Sequence, residues 1–286
     1  GTIPSVSHAD ADMPAIPVVP RARRKDGASS LPVDELLRPL IVSNRRGLVC
    51  LTAPPGGGKT TALAYLRSKL PAEVRLFDAD QRPAARSAAN DAMVILATAS
   101  AAQDTTTIAV FELCPWTMDD CIAYLAARHR ERAKLVLERL SGMEAVLSFP
   151  GAVQLAVAVL DRMAADSSIA SVPEALSGIV AEHPMPETDR ESLVLVFFRN
   201  LGVDISDVPE RTLPWWLRHG AMQRMFIAHW ITDRLSEGAV PACLNRTLAR
   251  PVLDELAFLL RSRLPAVATL ERLLASNPQG PRSEEH

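Results

Sequence analysis

Residues 53–61, Ala-Pro-Pro-Gly-Gly-Gly-Lys-Thr-Thr, have the composition of a segment built around an anion. Against the pattern G-x-x-x-x-G-K-[ST], Gly58, Lys59 and Thr60 match, and Ala53 stands where the first glycine is usual. A backbone that folds around a phosphate passes where a Cβ would clash, so glycines are required there. Pro54 and Pro55 carry no N–H, but the amides of Gly56, Gly57, Gly58, Lys59, Thr60 and Thr61 remain available as donors. In such a loop the Lys59 ammonium reaches the β- and γ-phosphates and Thr60 offers its hydroxyl to Mg²⁺. The competing reading is a glycine-rich turn between strand and helix followed by a chance Lys-Thr. The apolar run before the loop and the helical pattern after it favour the phosphate site.

A magnesium ion also needs an acid at the end of a neighbouring strand, and "VRLFDAD" supplies Asp78 and Asp80. Asp78 is the candidate metal ligand, and Asp80 or Gln81 the candidate for orienting an attacking water. Both carboxylates would serve equally as caps of the next helix, where negative charge is favoured.

These groups must be held by an α/β frame. "VDELLRPLIVS" predicts a helix and "GLVCLTA" (47–53) a buried strand running into the loop; "KTTALAYLRSKL" (59–70) predicts a helix that Pro71 ends. Strand-like runs follow at 74–80, 92–100 and 108–113, with a helical stretch over 82–90, so a short parallel sheet is expected. After 115 the strand signals stop. Helices are expected over 117–130, onward to about 141, over 150–164, after a Thr188–Glu191 capping box, and at 220–237, 251–263 and 266–275. The resulting division is a disordered arm over 1–30, a nucleotide-binding core over 31–115, a helical subdomain over 116–180, a second helical domain over 181–277 and a disordered tail over 278–286. The arm carries four prolines and the run "RARRK", read as a solvated linker.

Of the 286 residues 48% are apolar, enough for two cores, and the formal net charge of −2 argues against nucleic acid or an anionic membrane as partner. The longest apolar run, 145–160, is broken by Pro150-Gly151 and Gln154 and is too short to span a bilayer. Cys50, Cys114, Cys121 and Cys243 are too scattered for a disulfide framework or a zinc site. With Gly at position 1 and no basic-apolar-small leader, we expect a cytoplasmic protein without a secretory signal, excised from a longer chain.

Taken in order, the elements resemble the STAND class of P-loop NTPases, most closely its NACHT branch, over about 36–275. The resemblance implies an α/β P-loop NTPase core with a short parallel sheet, followed by an all-α helical and winged-helix-like region. In "LATAS" Thr98 is kept, but Ser100 stands where the family has a phosphate-sensing arginine. "VFELCPWTMDDCIAYL" (110–125) is similar to the family's strand-to-helix passage, and "LSFPGAVQLAV" (147–157) puts Pro150 where a proline lies beside the adenine; a proline that merely starts a helix is the alternative. "WLRHGAMQRMFIAHW" (216–230) puts His219 where the family histidine touches the β-phosphate of ADP and Gln223 on the matching glutamine, with Arg224 in place of the usual acid; His219 as a cap or surface group is the alternative. Trp215, Trp216 and Trp230 read as core packing. Only 18 residues separate Lys59 from Asp78, so the sheet is expected to be abbreviated to four or five strands.

The resemblance implies a nucleotide switch in which bound ADP or ATP with Mg²⁺ sets domain opening, with slow hydrolysis, homo-oligomers when active, and protein partners engaged through flanking regions. The alternative is a degenerate scaffold that keeps the fold and acts as a protein-interaction module without turnover. A small-molecule kinase would need an arginine-rich lid and further α/β units, which the helical second half does not offer.

Overall fold

The computed structural model describes residues 18–25, 27, 29–100, 105–149, 151–200, 213–239, 241 and 250–276. Among them it has six strands in one mixed, mostly parallel sheet and twelve α-helices, giving an α/β core followed by a helical region.

The strands are β1 (Arg21–Arg24), β2 (Leu31–Pro32), β3 (Gly47–Thr52), β4 (Arg75–Phe77), β5 (Met93–Thr98) and β6 (Thr107–Leu113), in the order β2-β1-β6-β3-β5-β4. β6, β3, β5 and β4 run parallel, with Val49 opposite Ile95 and Cys50 opposite Val110. Side chains alternate across the sheet, and both faces are covered. Val49, Leu51, Ile95 and Ala97 pack with Leu37 and Leu40 of α1 (Val33–Val42) and with Leu63 and Leu66 of α2 (Lys59–Lys69). Leu48, Cys50, Val94 and Leu96 face the other way, onto Ala85 of α3 (Arg82–Ala88) and onto Ala89. Double burial is why these strands read as continuous apolar runs rather than as alternating ones.

The expected disordered arm over 1–30 is overturned in its described part. β1 pairs antiparallel with β6, Ala22 against Leu113 and Arg24 against Phe111, and β2 pairs antiparallel with β1. Ala22 is fully buried while Arg21, Arg23 and Arg24 point to solvent, so one small residue among arginines is enough to seat an edge strand. Arg23 adds a hydrogen-bonded pair to Glu112, at 3.0 Å. The sheet thus has six strands rather than the four or five expected: the four parallel ones that the sequence pattern marks, and two antiparallel strands added at its edge. Residues 1–17 and the expected tail from 278 lie outside the described residues.

The chain forms two compact units, Gly1–Lys134 with Pro150–Gln154, and Leu135–Phe149 with Leu155–His286. The first therefore runs beyond the expected boundary at 115, through α4 (Met118–Arg128), which a Thr117–Asp120 capping box starts. The helix expected to continue to about 141 is shorter, α5 (Ala133–Leu137), and a separate α6 (Met143–Leu147) starts after Gly142.

The second unit is helical throughout its described part, with α7 (Val153–Ala165), α8 (Val172–Glu182), α9 (Glu187–Asn200), α10 (Gly220–Ser236), α11 (Arg250–Leu260) and α12 (Leu264–Ser276). Thr188 lies inside the first turn of α9 rather than capping it. α10 is buried around its circumference, as its apolar residues at every register position require, and α8, α9, α11 and α12 pack on it. Polar side chains are placed where partners exist: Ser177 Oγ is 2.8 Å from His229 Nε2, Arg190 donates to Asp233 at 2.7 Å and Trp230 Nε1 to Glu187 at 3.1 Å. Among the described residues no helix is long and apolar enough to cross a membrane.

Candidate functional site

The parallel strands end at a common edge, and the connections diverge at β3: β5 lies on one side of it and β6 on the other. Ligands of open α/β sheets bind at the carboxyl ends of strands where the strand order reverses in this way. The glycine loop leaves β3 at that point.

Its geometry follows from its sequence. Ala53 is buried and its N–H donates to Thr98 O at 3.1 Å, fixing the loop to the end of β5. Gly57 N donates to Pro54 O at 3.0 Å, closing a tight turn. Gly58 has φ of 84°, a left-handed conformation that L side chains rarely hold, and from there α2 begins, with Ala62 N donating to Gly58 O at 2.8 Å. Neither a side-chain cap nor an acidic residue occupies the first turn of α2, so its positive dipole end has no counter-charge from those sources. The Lys59 ammonium turns into the loop and donates to Ala53 O at 2.8 Å and Pro54 O at 3.0 Å. Thr60 is exposed and Thr61 half-buried on that first turn.

A second segment braces the loop. Gln154 N donates to Gly56 O at 3.1 Å, and Gly151, with φ of 77°, approaches so closely that a Cβ there would strike Pro55 O. Pro150, the expected adenine neighbour, lies outside the described residues.

Beside the loop opens a small cleft, part of it open to solvent. Gly57, Gly58 and Thr61 form one wall; the chain after β6, including Trp116, and the approach to β1 at Val18 and Val19 form the others. Apolar Val18, Trp116 and Val153 share its lining with Arg21, Thr61 and Asp120. Sequence reasoning missed the contribution of Val18–Arg21, because the stretch falls in a proline-containing segment without apolar periodicity.

The acids are placed less favourably. Asp78 follows β4, which is separated from β3 by β5, so about 10 Å lies between their axes. Its Oδ1 accepts from Ala79 N at 2.7 Å, and Gln81 Oε1 accepts from Asp78 N at 3.2 Å, a capping box for the 3₁₀ turn over Ala79–Gln81. The capping alternative is thus realised for Asp78, and Asp80 is exposed on that turn. Among the described residues no group of three or more His, Cys, Asp or Glu side chains is arranged to hold a metal.

The end of β5 holds a residue that no motif singled out. Arg82 Nη2 donates to Ser100 O at 3.1 Å and to Thr98 Oγ1 at 3.4 Å.

In the second unit, His219 precedes α10 and is 3% exposed, neither a surface group nor a side-chain cap. Among the described residues its Nδ1 has no hydrogen-bond partner, and burial, with Arg218 beside it, pushes its pKa down to about 4, so the ring is neutral at pH 7. Gln223 Nε2 is occupied by Leu217 O at 2.8 Å, a structural role. The tryptophans pack as expected: Trp216 is buried, its ring 5.9 Å from that of Phe226 and 5.4 Å from that of His183. Cys50 and Cys121 are buried thiols and Cys114 is half-buried; Cys243 lies outside the described residues.

No protein-family model matches the chain, and no curated protein sequence matches it.

Proposed function

We propose that the first unit is a P-loop nucleotide-binding core of the STAND or NACHT type and that the chain is a switch set by ADP or ATP with Mg²⁺. The observation that carries this reading is the loop from Ala53 to Thr61: glycines in left-handed conformation wrap an ammonium at a helix start without a side-chain cap, beside a cleft at the reversal point of the sheet. Amides of Gly56 to Thr61 and Lys59 hold the diphosphate, the cleft takes the base, and Thr60 with Asp78 holds Mg²⁺ through its water shell. Lys59 and Asp80 are the residues nearest to a hydrolytic role, and turnover is slow because Asp80 is exposed on the turn after β4, a strand that β5 separates from β3. The second unit serves as the helical and winged-helix-like region. In the family that the switch resembles, the histidine matched by His219 meets the β-phosphate of ADP, and a change of nucleotide state exposes surfaces for oligomers and protein partners.

One observation favours the scaffold reading instead: the Asp78 carboxylate already caps its own turn. Acid release of small molecules from the purified chain, followed by calorimetric titration with ADP and with ATP–Mg²⁺, separates the two. The switch predicts bound or bindable nucleotide and a loss of about 10- to 100-fold in affinity for Lys59→Ala. An empty site with no affinity for either nucleotide would establish the scaffold.

A further inference from the structure

We propose that the turn joining α4 to α5 is a docking point for the phosphate backbone of duplex nucleic acid. The proposal stands apart from the glycine loop and holds whether or not that loop takes a nucleotide.

Residues 128–134, Arg-His-Arg-Glu-Arg-Ala-Lys, carry three arginines and a lysine against one glutamate, a density that the whole-chain charge of −2 conceals. Arg128, Arg130, Arg132 and Lys134 are all exposed, and none makes an ion pair or a side-chain hydrogen bond with a described residue. The backbone beneath them is fixed. His129 N donates to Leu125 O at 2.8 Å, Arg132 N donates to His129 O at 2.8 Å, and the His129 ring sits edge-on to that of buried Tyr124, 6.0 Å away.

Helix stability accounts for one of the four cations. Arg128 lies in the last turn of α4, where positive charge complements the dipole, an effect confined to that turn. Arg130, Arg132 and Lys134 lie beyond it. The acids of α4, Asp119 and Asp120, are at its other end, about 12 Å or more along the axis, which is past the screening length at physiological salt. The four like charges therefore repel one another with little local relief, and an anionic partner removes that repulsion.

The surroundings select the partner. Exposed neighbours of the cations are Ala126, Ala127 and Glu131, none of which supplies the large apolar anchor on which a protein–protein interface is centred. Phosphate contacts need no such centre, and guanidinium forks pair with phosphate oxygens in bidentate fashion. Tyr124 and Trp116 are only 2% and 9% exposed, so they present no ring face on which an unpaired base could stack. The contact is thus with the backbone alone and independent of sequence, and a duplex, with one charge per about 1.7 Å of axis, offers the densest row of phosphates.

The test is fluorescence anisotropy of a short labelled DNA duplex titrated with the full 286-residue chain. If the turn engages three or four phosphates, affinity should fall about 40- to 150-fold between about 50 and 200 mM salt. The combined variant Arg128→Gln, Arg130→Gln, Arg132→Gln, Lys134→Gln should lose about tenfold or more at the lower salt. A control with equal charge removed from other exposed positions of the same unit, Arg24→Gln, Lys25→Gln, Arg45→Gln, Arg46→Gln, should lose less than about threefold. Thermal melts establish that both variants are folded, and the salt slope of the parent needs no variant. Absence of duplex binding at the lower salt, a slope near zero, or equal losses in the two variants overturns the proposal. Tighter binding of a labelled poly-glutamate peptide than of the duplex also overturns it, in favour of an acidic protein partner, and equal binding of single strand and duplex overturns the preference for a duplex.

Discussion

Replacing Gly151 by alanine should disturb the glycine loop from outside it. Gly151 has φ of 77°, and holding an L-residue there costs about 1–2 kcal/mol. The added Cβ falls on the carbonyl oxygen of Pro55, a backbone atom that cannot rotate aside, so relief requires moving the loop or the segment, at about 1–3 kcal/mol more. The combined expectation is about 2–5 kcal/mol, together with loss of the Gln154 N to Gly56 O bond. Gly142 provides the comparison: its φ is 91°, but an added Cβ there meets nothing within 4 Å, so Gly142→Ala should show only the conformational part, about 1–2 kcal/mol. Hydrogen exchange in a urea series reads each variant in its own unit, β3 and α2 for Gly151→Ala and α8 and α10 for Gly142→Ala. Nucleotide titration completes the comparison, with affinity falling for Gly151→Ala alone. The reasoning is refuted if Gly151→Ala is no more destabilising than Gly142→Ala and binds nucleotide like the parent.

The second unit should conceal two opposed pH dependences. His219, with a folded pKa of about 4 against 6.5 when free, contributes stability that is lost as pH falls from 6.5 through about 4, in total about 3 kcal/mol. Glu255 is half-buried, with Oε2 unpartnered among the described residues and its ion pair to Arg224 at 3.4 Å; desolvation outweighs that partner and lifts its pKa from 4.5 to about 7. Its contribution therefore has the opposite sign, lost as pH rises from 4.5 through about 7, again by about 3 kcal/mol. Denaturation between pH 4.5 and 7.5 should show a nearly level parent, a rising profile for Glu255→Gln and a falling one for His219→Gln; level profiles for both variants would contradict the assignment. At the sheet edge, Ala22→Arg should destabilise the first unit by about 3 kcal/mol or more, since it buries a charge in the core, whereas Arg23→Ala, which breaks an exposed pair, should cost under about 1 kcal/mol. Similar small effects for both variants, by urea unfolding, would mean that β1 is not seated as described.

The strand, loop and helix around Lys59 were legible because each carries a separate local signal: a run of apolar residues buried on both faces, glycines before a Lys-Thr, and leucines on one helical face. β1 was not, because "RARRK" is dominated by charge and its seating depends on a partner strand that lies almost ninety residues further on. Arg82 escaped for a similar reason: its meaning comes from Thr98 and Ser100, which the fold brings to it and the local sequence does not. Asp78 was legible as an acid after a strand, yet the local sequence left two uses open, and the Gln81 side chain three residues on completes a capping box. For His219 the residue type was visible, while its burial depends on packing that only α10 and its neighbours supply.

The brace on the glycine loop comes from Gly151 and Gln154, which the chain reaches only after it has left the first unit at Lys134 and entered the second. During synthesis the sheet and the loop emerge first, but the loop has no outside support until some twenty further residues have cleared the ribosome. An expression boundary drawn after Lys134 would isolate a sheet whose glycine turn has lost its buttress, so a truncated first unit is a poor reporter of how that turn behaves in the whole chain.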